Sequence, residues 1–196
     1  MRIIAGSLRS RTLEAPAGLA TRPTSDRLRE TLFNVLMSRN QAPRLGGARF
    51  LDLYAGSGAV GIEALSRGAA SVDFVERAEP ALRVLRANLA RLGLTAGFSI
   101  LAASVGTVLR RMKPADAFDV IFLDPPYDED KEYAATLGLL GGAGAGLLAA
   151  GAIVIAEHRK KKSLEEHYGS LRRTRLLTQG DAALSFYAAE PLDAKD

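Results

Sequence analysis

The sequence contains no cysteine and no tryptophan, and only two of its 196 residues are histidines, His158 and His167. The absence of cysteine excludes disulfides, thiolate nucleophiles, Cys-ligated zinc and iron–sulfur clusters. Two histidines are too few for a multi-histidine metal site, so we predict no metal site, and we expect both to be structural. A chain without cysteine also fits a reducing compartment, and we expect a cytoplasmic protein.

Long hydrophobic runs are also scarce. Residues 1–6 contain no long apolar segment of the kind that a secretory signal requires. Residues 139–156 carry no charge and reach the length of a membrane span. Five of these residues are glycine and many others are alanine, which insert weakly into lipid. We therefore predict a loop and a buried strand there, and no membrane partner.

Positive charge is in modest excess and is unevenly distributed. The net charge is +4. Residues 1–29 contain six arginines against two acidic residues, and residues 159–175 contain seven basic residues against two acidic ones. The remainder of the chain is therefore net acidic. Two basic patches around a centre that is not basic favour an anionic partner.

From residue 49 onward, strand-like and helix-like patterns alternate. Apolar runs predict strands at residues 50–54, 71–75, 98–101, 118–123 and 152–157, with helices at 59–67, 79–92, 105–112 and 130–140. Two further strand-like runs, 171–177 and 183–188, are joined by a turn signal. We predict an α/β fold with a doubly wound, seven-stranded, mostly parallel sheet and an antiparallel C-terminal hairpin, similar to a Rossmann fold.

The first 48 residues do not follow this alternation. Residues 2–12 are compatible with a strand or hairpin, and Leu28, Leu32, Val35 and Leu36 share one face of a predicted helix. We predict a small N-terminal extension at 1–48, a catalytic domain at 49–190 and a tail at 191–196.

A glycine-rich motif, Gly56-x-Gly58-x-x-Gly61, lies between the first predicted strand and helix of that domain. Glycine allows the backbone to turn tightly and to approach a ligand closely. Glu76 follows Gly56 by twenty residues, where a carboxylate can accept hydrogen bonds from ribose hydroxyls. The motif predicts a nucleoside-cofactor site, and nicotinamide, flavin and S-adenosylmethionine all fit it.

Asp52, at the end of the first strand, distinguishes among these cofactors. A carboxylate in front of the glycines repels the phosphates of a dinucleotide. It suits the positive ammonium and sulfonium groups of S-adenosylmethionine. The order of Asp52 and the glycines therefore favours S-adenosylmethionine.

The second motif is Asp124-Pro125-Pro126-Tyr127, after the fourth strand. Two prolines stiffen the backbone and remove two amide donors, which leaves the Asp124 side chain and the Pro125 carbonyl as fixed acceptors. Two acceptors aimed at one point suit an exocyclic amine, and the ring of Tyr127 suits stacking on a base.

This motif resembles the signature of amino-directed methyltransferases that use S-adenosylmethionine. The run Arg22-Pro23-Thr24-Ser25-Asp26-Arg27-Leu28-Arg29-Glu30-Thr31-Leu32-Phe33-Asn34, with Arg2-Ile3-Ile4-Ala5-Gly6 before it, resembles the bacterial RsmD family. The resemblance extends from residue 2 to about residue 188. It implies methyl transfer to the 2-amino group of one specific guanine in 16S ribosomal RNA of the small subunit, with S-adenosylhomocysteine as the other product.

The motifs and the resemblance together give three sets of candidate residues. The catalytic set is Asp124, Pro125, Pro126 and Tyr127. The cofactor-binding set is Asp52, Tyr54, Ala55, Gly56, Ser57, Gly58, Gly61, Glu76, Arg77, Ser104 and Asp124. The RNA-binding set is Arg2, Arg9, Arg11, Arg22, Thr24 and Arg27. Ser104 departs from the pattern, since such enzymes usually place Asp or Asn there to bind the adenine amine. We expect a monomer.

Three alternatives are compatible with parts of the sequence. The first is a methyltransferase of another amine, either adenine N6 in DNA or RNA or a protein glutamine. The second is an NAD-dependent oxidoreductase, which Asp52 and the lack of an evident hydride-site acid or base disfavour. The third is an RNA-binding protein without catalytic activity, which the intact acceptors at 124–127 disfavour.

Overall fold

A computed structural model describes residues 1–15, 26–38, 45–126 and 130–190. Arg22, Thr24, Tyr127 and the predicted tail lie outside these residues. The helices are α1 (Asp26–Leu36), α2 (Ala59–Ser66), α3 (Glu79–Arg91), α4 (Val105–Arg111) and α5 (Asp130–Gly141). The strands are β1 (Arg49–Leu53), β2 (Ser71–Glu76), β3 (Phe98–Ala102), β4 (Phe118–Leu123), β5 (Leu148–Arg159), β6 (His167–Tyr168), β7 (Leu171–Gln179) and β8 (Ala182–Ala189).

The strands form one sheet in the order β3-β2-β1-β4-β5-β8-β7-β6. The first five strands pair in parallel, and β8, β7 and β6 pair antiparallel. The predicted topology is confirmed, but the predicted count of seven strands is one too low. The additional strand, β6, is two residues long. Such a strand is too short to show the alternation by which strands are recognised in a sequence.

The sheet separates two apolar cores. Phe50, Phe74 and Phe122 project into the core that contains α1, α2 and α3. Leu53 and Leu123 project into the core that contains α4 and α5. Burial on both faces explains why β4 is apolar at every position except Asp119.

The N-terminal residues pack against the first of these cores. Residues 2 and 12 form an antiparallel bridge, in agreement with the predicted hairpin. Ile3, Leu13 and Phe33 are almost fully buried among the side chains of α2, α3 and the sheet. The N-terminal segment is thereby fixed beside α2.

The uncharged residues 139–156 divide among the end of α5, a 3₁₀ turn (Ala145–Leu147) and the first part of β5. Within the described part of the chain, no helix has both the length and the apolar character needed to cross a membrane.

Candidate active site

A cavity of about 500 Å³ opens at the carboxyl ends of β1, β2 and β4. Ligands of doubly wound proteins bind at this edge, beside the point where the strand order reverses. Eleven described residues from the predicted catalytic and cofactor-binding sets line the cavity: Asp52, Tyr54, Ala55, Gly56, Ser57, Glu76, Arg77, Ser104, Asp124, Pro125 and Pro126. The fold thus brings together the side chains of two motifs that are about seventy residues apart in the sequence.

The glycine motif has two different structural roles. Gly56 lines the cavity with a φ of 55°, a left-handed conformation that glycine adopts without steric cost. Gly58 and Gly61 do not line the cavity. A Cβ on Gly58 would lie 2.3 Å from the Leu85 side chain, and one on Gly61 would lie 2.3 Å from the Phe74 ring. These two glycines therefore permit close packing behind the cavity wall.

Asp52 lines the cavity and is almost completely buried. One of its carboxylate oxygens accepts a hydrogen bond from the backbone N–H of Gly61 at 2.9 Å. The pKa of Asp52 is raised to about 7, mainly because burial disfavours the charged form. The Gly61 hydrogen bond lowers this pKa, and the negative charge of Glu76 raises it. A carboxylate held in this way is available to a cationic ligand group.

Glu76, at the end of β2, is bound to the loop that it faces. Its carboxylate accepts hydrogen bonds from the backbone N–H groups of Gly56 at 2.9 Å, Arg77 at 2.8 Å and Ala78 at 2.7 Å. Two of these bonds use one oxygen and the Gly56 bond uses the other. An ionised carboxylate has about four acceptor positions. After these donors from the described residues, one acceptor position on Glu76 remains for a ligand hydroxyl.

Asp124 follows β4 and lies near two other acidic groups. Removal from water raises the pKa of Asp124 well above its ordinary value, and the negative charges of Glu157 and Asp52 raise it further. Glu157 is buried near the end of the neighbouring strand β5. The cavity thus contains two carboxyl groups whose ionised forms a positively charged ligand would stabilise.

Tyr54 adopts a φ of 61°, which is uncommon for a residue with a side chain. Its hydroxyl donates to Glu132 at 2.7 Å and contacts the Thr136 hydroxyl at 2.8 Å. Both partners lie on α5 and line the cavity. These contacts fix the backbone that precedes the glycines. Glu132 is a cavity residue that the sequence analysis did not identify.

Ser104 lines the cavity but also caps a helix. Its hydroxyl contacts the Thr107 hydroxyl at 2.8 Å and accepts from the Thr107 N–H at 3.3 Å, at the start of α4. A serine three residues before a helical N–H is a common N-cap. The serine at position 104 therefore has a structural role as a helix cap, in addition to its predicted contact with adenine.

The described arginines of the predicted RNA-binding set, Arg2, Arg9, Arg11 and Arg27, are exposed. Arg29 belongs to the same basic stretch and is fully buried. Its guanidinium lies 3.7 Å from Glu63 and donates to the carbonyl of Arg2 at 2.5 Å. Arg29 therefore contributes to the interior and not to a basic surface.

Glu63 and Asn88 are two buried polar residues that the sequence analysis did not identify. The Glu63 carboxylate accepts hydrogen bonds from the backbone N–H groups of Ile4 at 2.8 Å and Ala5 at 3.0 Å. Asn88 binds the backbone of Glu14 and the carbonyl of Ser57. Both residues attach the N-terminal segment to the helices α2 and α3. A polar residue on a predicted helix gives no sequence signal of this role, because it is indistinguishable from a solvated one.

Within the described part of the chain, both ring nitrogens of His158 contact groups of the sheet. Its Nδ1 lies 3.0 Å from the carbonyl of Arg159, and its Nε2 lies 2.9 Å from the Ser185 hydroxyl. A carbonyl accepts only, so Nδ1 donates and Nε2 accepts in the neutral ring. Burial lowers the pKa of His158, which is consistent with that form. Within residues 1–15, 26–38, 45–126 and 130–190, no group of three His, Asp or Glu side chains is arranged to hold a metal.

Comparison with known proteins finds relatives in sequence and in fold. Bacillus subtilis (strain 168) YlbH is 39% identical over 188 residues, which are 95% of this chain and 98% of YlbH. Ribosomal RNA small subunit methyltransferase D of Haemophilus influenzae is 40% identical over 128 residues, covering 65% of this chain and 64% of that protein. The solved structure of Escherichia coli YhhF has a TM-score of 0.80 and 32% identity, over 97% of this chain and 98% of that one.

A family model supplies the assignment. The model described as "Conserved hypothetical protein 95" matches residues 1–188, which extend from the N-terminal segment through the last strand of the sheet. The chain therefore belongs to this family, the RsmD family that its sequence motifs resemble.

Proposed function

We propose that this protein transfers a methyl group from S-adenosylmethionine to the exocyclic N2 amine of a specific guanine in 16S ribosomal RNA of the small subunit. The observation that carries the proposal is the shared cavity, in which the glycine loop and Glu76 lie beside Asp124 and Pro125. The matching relative from Haemophilus influenzae is a ribosomal RNA small subunit methyltransferase, which supports the substrate class.

The residues of the cavity fit S-adenosylmethionine. Glu76 retains an acceptor position for a ribose hydroxyl, and Gly56 allows the backbone to approach the ligand closely. Asp52 provides buried negative charge for the methionine end. No cysteine is available for a covalent intermediate, and none is required. When bound, S-adenosylmethionine supplies an activated methyl group on a sulfonium.

Asp124 and Pro125 would hold the target amine. The carboxylate and the carbonyl accept hydrogen bonds from the two N–H groups of the amine and so orient the nitrogen lone pair. A guanine amine is a weak nucleophile because its lone pair is delocalised into the ring, so orientation and local negative charge supply most of the catalysis. A positive charge bound nearby favours the ionised form of Asp124. The ionised carboxylate carries no O–H, so it accepts hydrogen bonds from the amine without donating one. Tyr127 would stack on the base.

The exposed arginines of the N-terminal segment would bind the RNA backbone. Arg2, Arg9 and Arg11 lie on the segment that Glu63 and Asn88 attach beside the cavity. Arginine pairs with phosphate oxygens in a bidentate manner. We assign residues 1–48 as the RNA-binding extension, 49–190 as the catalytic domain and 191–196 as a tail. We further propose that the protein acts as a cytoplasmic monomer.

The test is transfer of labelled methyl from S-adenosylmethionine to small ribosomal subunits that lack the modification. Wild type, Asp124→Asn and Glu165→Gln are compared. Glu165→Gln changes an exposed carboxylate that does not line the cavity. After digestion to nucleosides, we expect N2-methylguanosine with wild type and Glu165→Gln. We expect at least a hundredfold less with Asp124→Asn, as for loss of one oriented acceptor.

The products distinguish the alternatives. Label in N6-methyladenosine or in protein glutamine would replace the guanine assignment by another amine. Binding of S-adenosylmethionine without label in any of these products would contradict the ribosomal proposal. If the protein binds RNA but does not bind S-adenosylmethionine, the result would favour an RNA-binding protein without catalytic activity.

A further inference from the structure

The N-terminal segment contributes to the wall of the cofactor cavity. Met1 and Ala15 line the cavity together with Ser57 of the glycine loop and Ala81 of α3. Met1 and Ala15 lie outside the alternating strands and helices that form the rest of the wall. The shape of the cavity therefore depends on where this segment is held.

Asn88 holds the end of that segment. The side chain is fully buried on α3. Its Oδ1 accepts from the N–H of Glu14 at 2.8 Å, and its Nδ2 donates to the carbonyl of Glu14 at 3.1 Å. Nδ2 also donates to the carbonyl of Ser57 at 3.0 Å. One amide group thus binds the residue before Ala15 and the glycine loop at the same time.

The contacts around Asn88 do not replace this link. Glu14 also pairs with Arg91 through its side chain, but both side chains are about half exposed. Exposed ion pairs contribute little, and water competes for them. Leu13 anchors the segment through apolar packing, which carries no directional information. The directional bonds from Asn88 set the position of the backbone at residues 14 and 57.

We infer that Asn88 is a positioning residue for cofactor binding, which holds the N-terminal segment against the glycine loop and so completes the cavity wall. The inference rests on the proposed function only for the identity of the ligand, S-adenosylmethionine. Asn88 does not line the cavity, and Asp124 is not among its hydrogen-bond partners. Its loss changes cofactor affinity and leaves the methyl-transfer step unaffected.

The test uses Asn88→Asp at pH 8. The aspartate keeps the shape and the acceptor for the Glu14 N–H, but it loses both donors and places negative charge against two carbonyl oxygens. Calorimetry without RNA measures the Kd for S-adenosylmethionine and for S-adenosylhomocysteine. We expect both Kd values to rise about tenfold, as for loss of a buried hydrogen bond. The KM for the cofactor rises in parallel, while kcat at saturating cofactor stays within about threefold.

Leu89→Ala is the matched control, because Leu89 is the adjacent buried residue on α3 and packs in the core. Leu89→Ala should lower the midpoint of thermal unfolding without removing the hydrogen bonds between Asn88 and the N-terminal segment. Asn88→Ala serves as the second variant if Asn88→Asp does not fold. Deuterium uptake over residues 1–15 is expected to quicken in the Asn88 variants and to stay as in wild type in Leu89→Ala.

Two results overturn the inference. One is a Kd within twofold of wild type in a folded Asn88 variant. The other is an equal rise in Kd in Leu89→Ala, which would trace the effect to stability alone. The assay is independent of the RNA substrate, since it measures cofactor binding by the free protein. If wild type binds the cofactor but methylates no ribosomal RNA, the proposed substrate fails and the role of Asn88 is still decided by the Kd values.

Discussion

The carboxylate of Asp52 is bonded to the backbone N–H of Gly61 at 2.9 Å, across the turn that joins β1 to α2. Gly61, the last glycine of the motif, thus holds the carboxylate of Asp52, which precedes the first glycine of the motif. Among the described residues, the Gly61 N–H is the one hydrogen-bond donor to the Asp52 carboxylate, and it lowers the pKa of Asp52 less than burial raises it. Asp52 is therefore placed for a ligand at a cost to the stability of the folded chain.

Asp52→Asn should stabilise the protein at alkaline pH. Since the pKa of Asp52 rises from 3.8 to about 7 on folding, the folded state binds more protons than the unfolded state between these values. The free energy of unfolding contributed by Asp52 therefore falls as pH rises through this window, by roughly 4 kcal/mol in total. Asparagine carries no charge and keeps an acceptor for the Gly61 N–H. Urea unfolding should show a gain from Asp52→Asn that is larger at pH 8 than at pH 5, by about 2.7 kcal/mol. An equal pH slope in both proteins would contradict this account.

Cofactor binding should strengthen as pH rises from 6 to 8. A cationic ligand favours ionised carboxylates, so binding releases protons from Asp52 and Asp124, whose pKa values are raised. Below the raised pKa, release of one proton changes the Kd by up to about tenfold per pH unit. Calorimetry in two buffers of different ionisation enthalpy measures the proton count. S-adenosylhomocysteine lacks the sulfonium charge and should show a shallower dependence, and Asp52→Asn should flatten the curve for both ligands.

Gly61→Ala should destabilise the fold by about 1–3 kcal/mol, the usual cost of overpacking a core. Its Cβ would lie 2.3 Å from the Phe74 ring and 2.7 Å from Val72, so β2 must shift away from α2. Gly46→Ala is the control, since a Cβ there meets nothing within 4 Å and its φ is not positive. Urea unfolding of both variants separates close packing from the general effect of replacing glycine. Equal stability in the two variants would refute the packing role.

Glu63→Gln should cost about 3 kcal/mol or more, because it removes the carboxylate that neutralises the buried guanidinium of Arg67. Glu63 is fully buried, pairs with Arg67 at 2.7 Å and lies 3.7 Å from Arg29. Glu79→Gln breaks an exposed pair with Arg86 and should cost less than about 1 kcal/mol. The two unfolding free energies are compared at pH 7 and again in 1 M salt. A Glu63 effect that disappears in salt would indicate a solvated pair.

The parallel strands were predictable because each is a short apolar run between turn signals, and burial on both faces demands that composition. The boundaries of the strands were less predictable. β5 begins at Leu148, before Gly151, whereas the predicted strand began after it. A glycine in a strand looks like a terminator in sequence, and only pairing with a neighbour shows that the strand continues.

The cavity was predictable to the extent that its residues belong to motifs. Asp52, Gly56, Glu76, Asp124 and Pro125 line it as expected. Glu132 also lines the cavity and accepts a hydrogen bond from Tyr54, but it was not predicted, because it lies on a helix among other polar residues and outside both motifs.

The sequence by itself determined the alternating architecture, the glycine loop with its two acidic partners and the resemblance to a family. These features depend on residues near one another in the chain or on fixed spacings. Only the tertiary structure decided that Arg29 is an interior cation, that Gly61 serves packing and that Asn88 joins residue 14 to residue 57. Each of these depends on which distant segment lies opposite a side chain, and that is set by the packing of helices on the sheet.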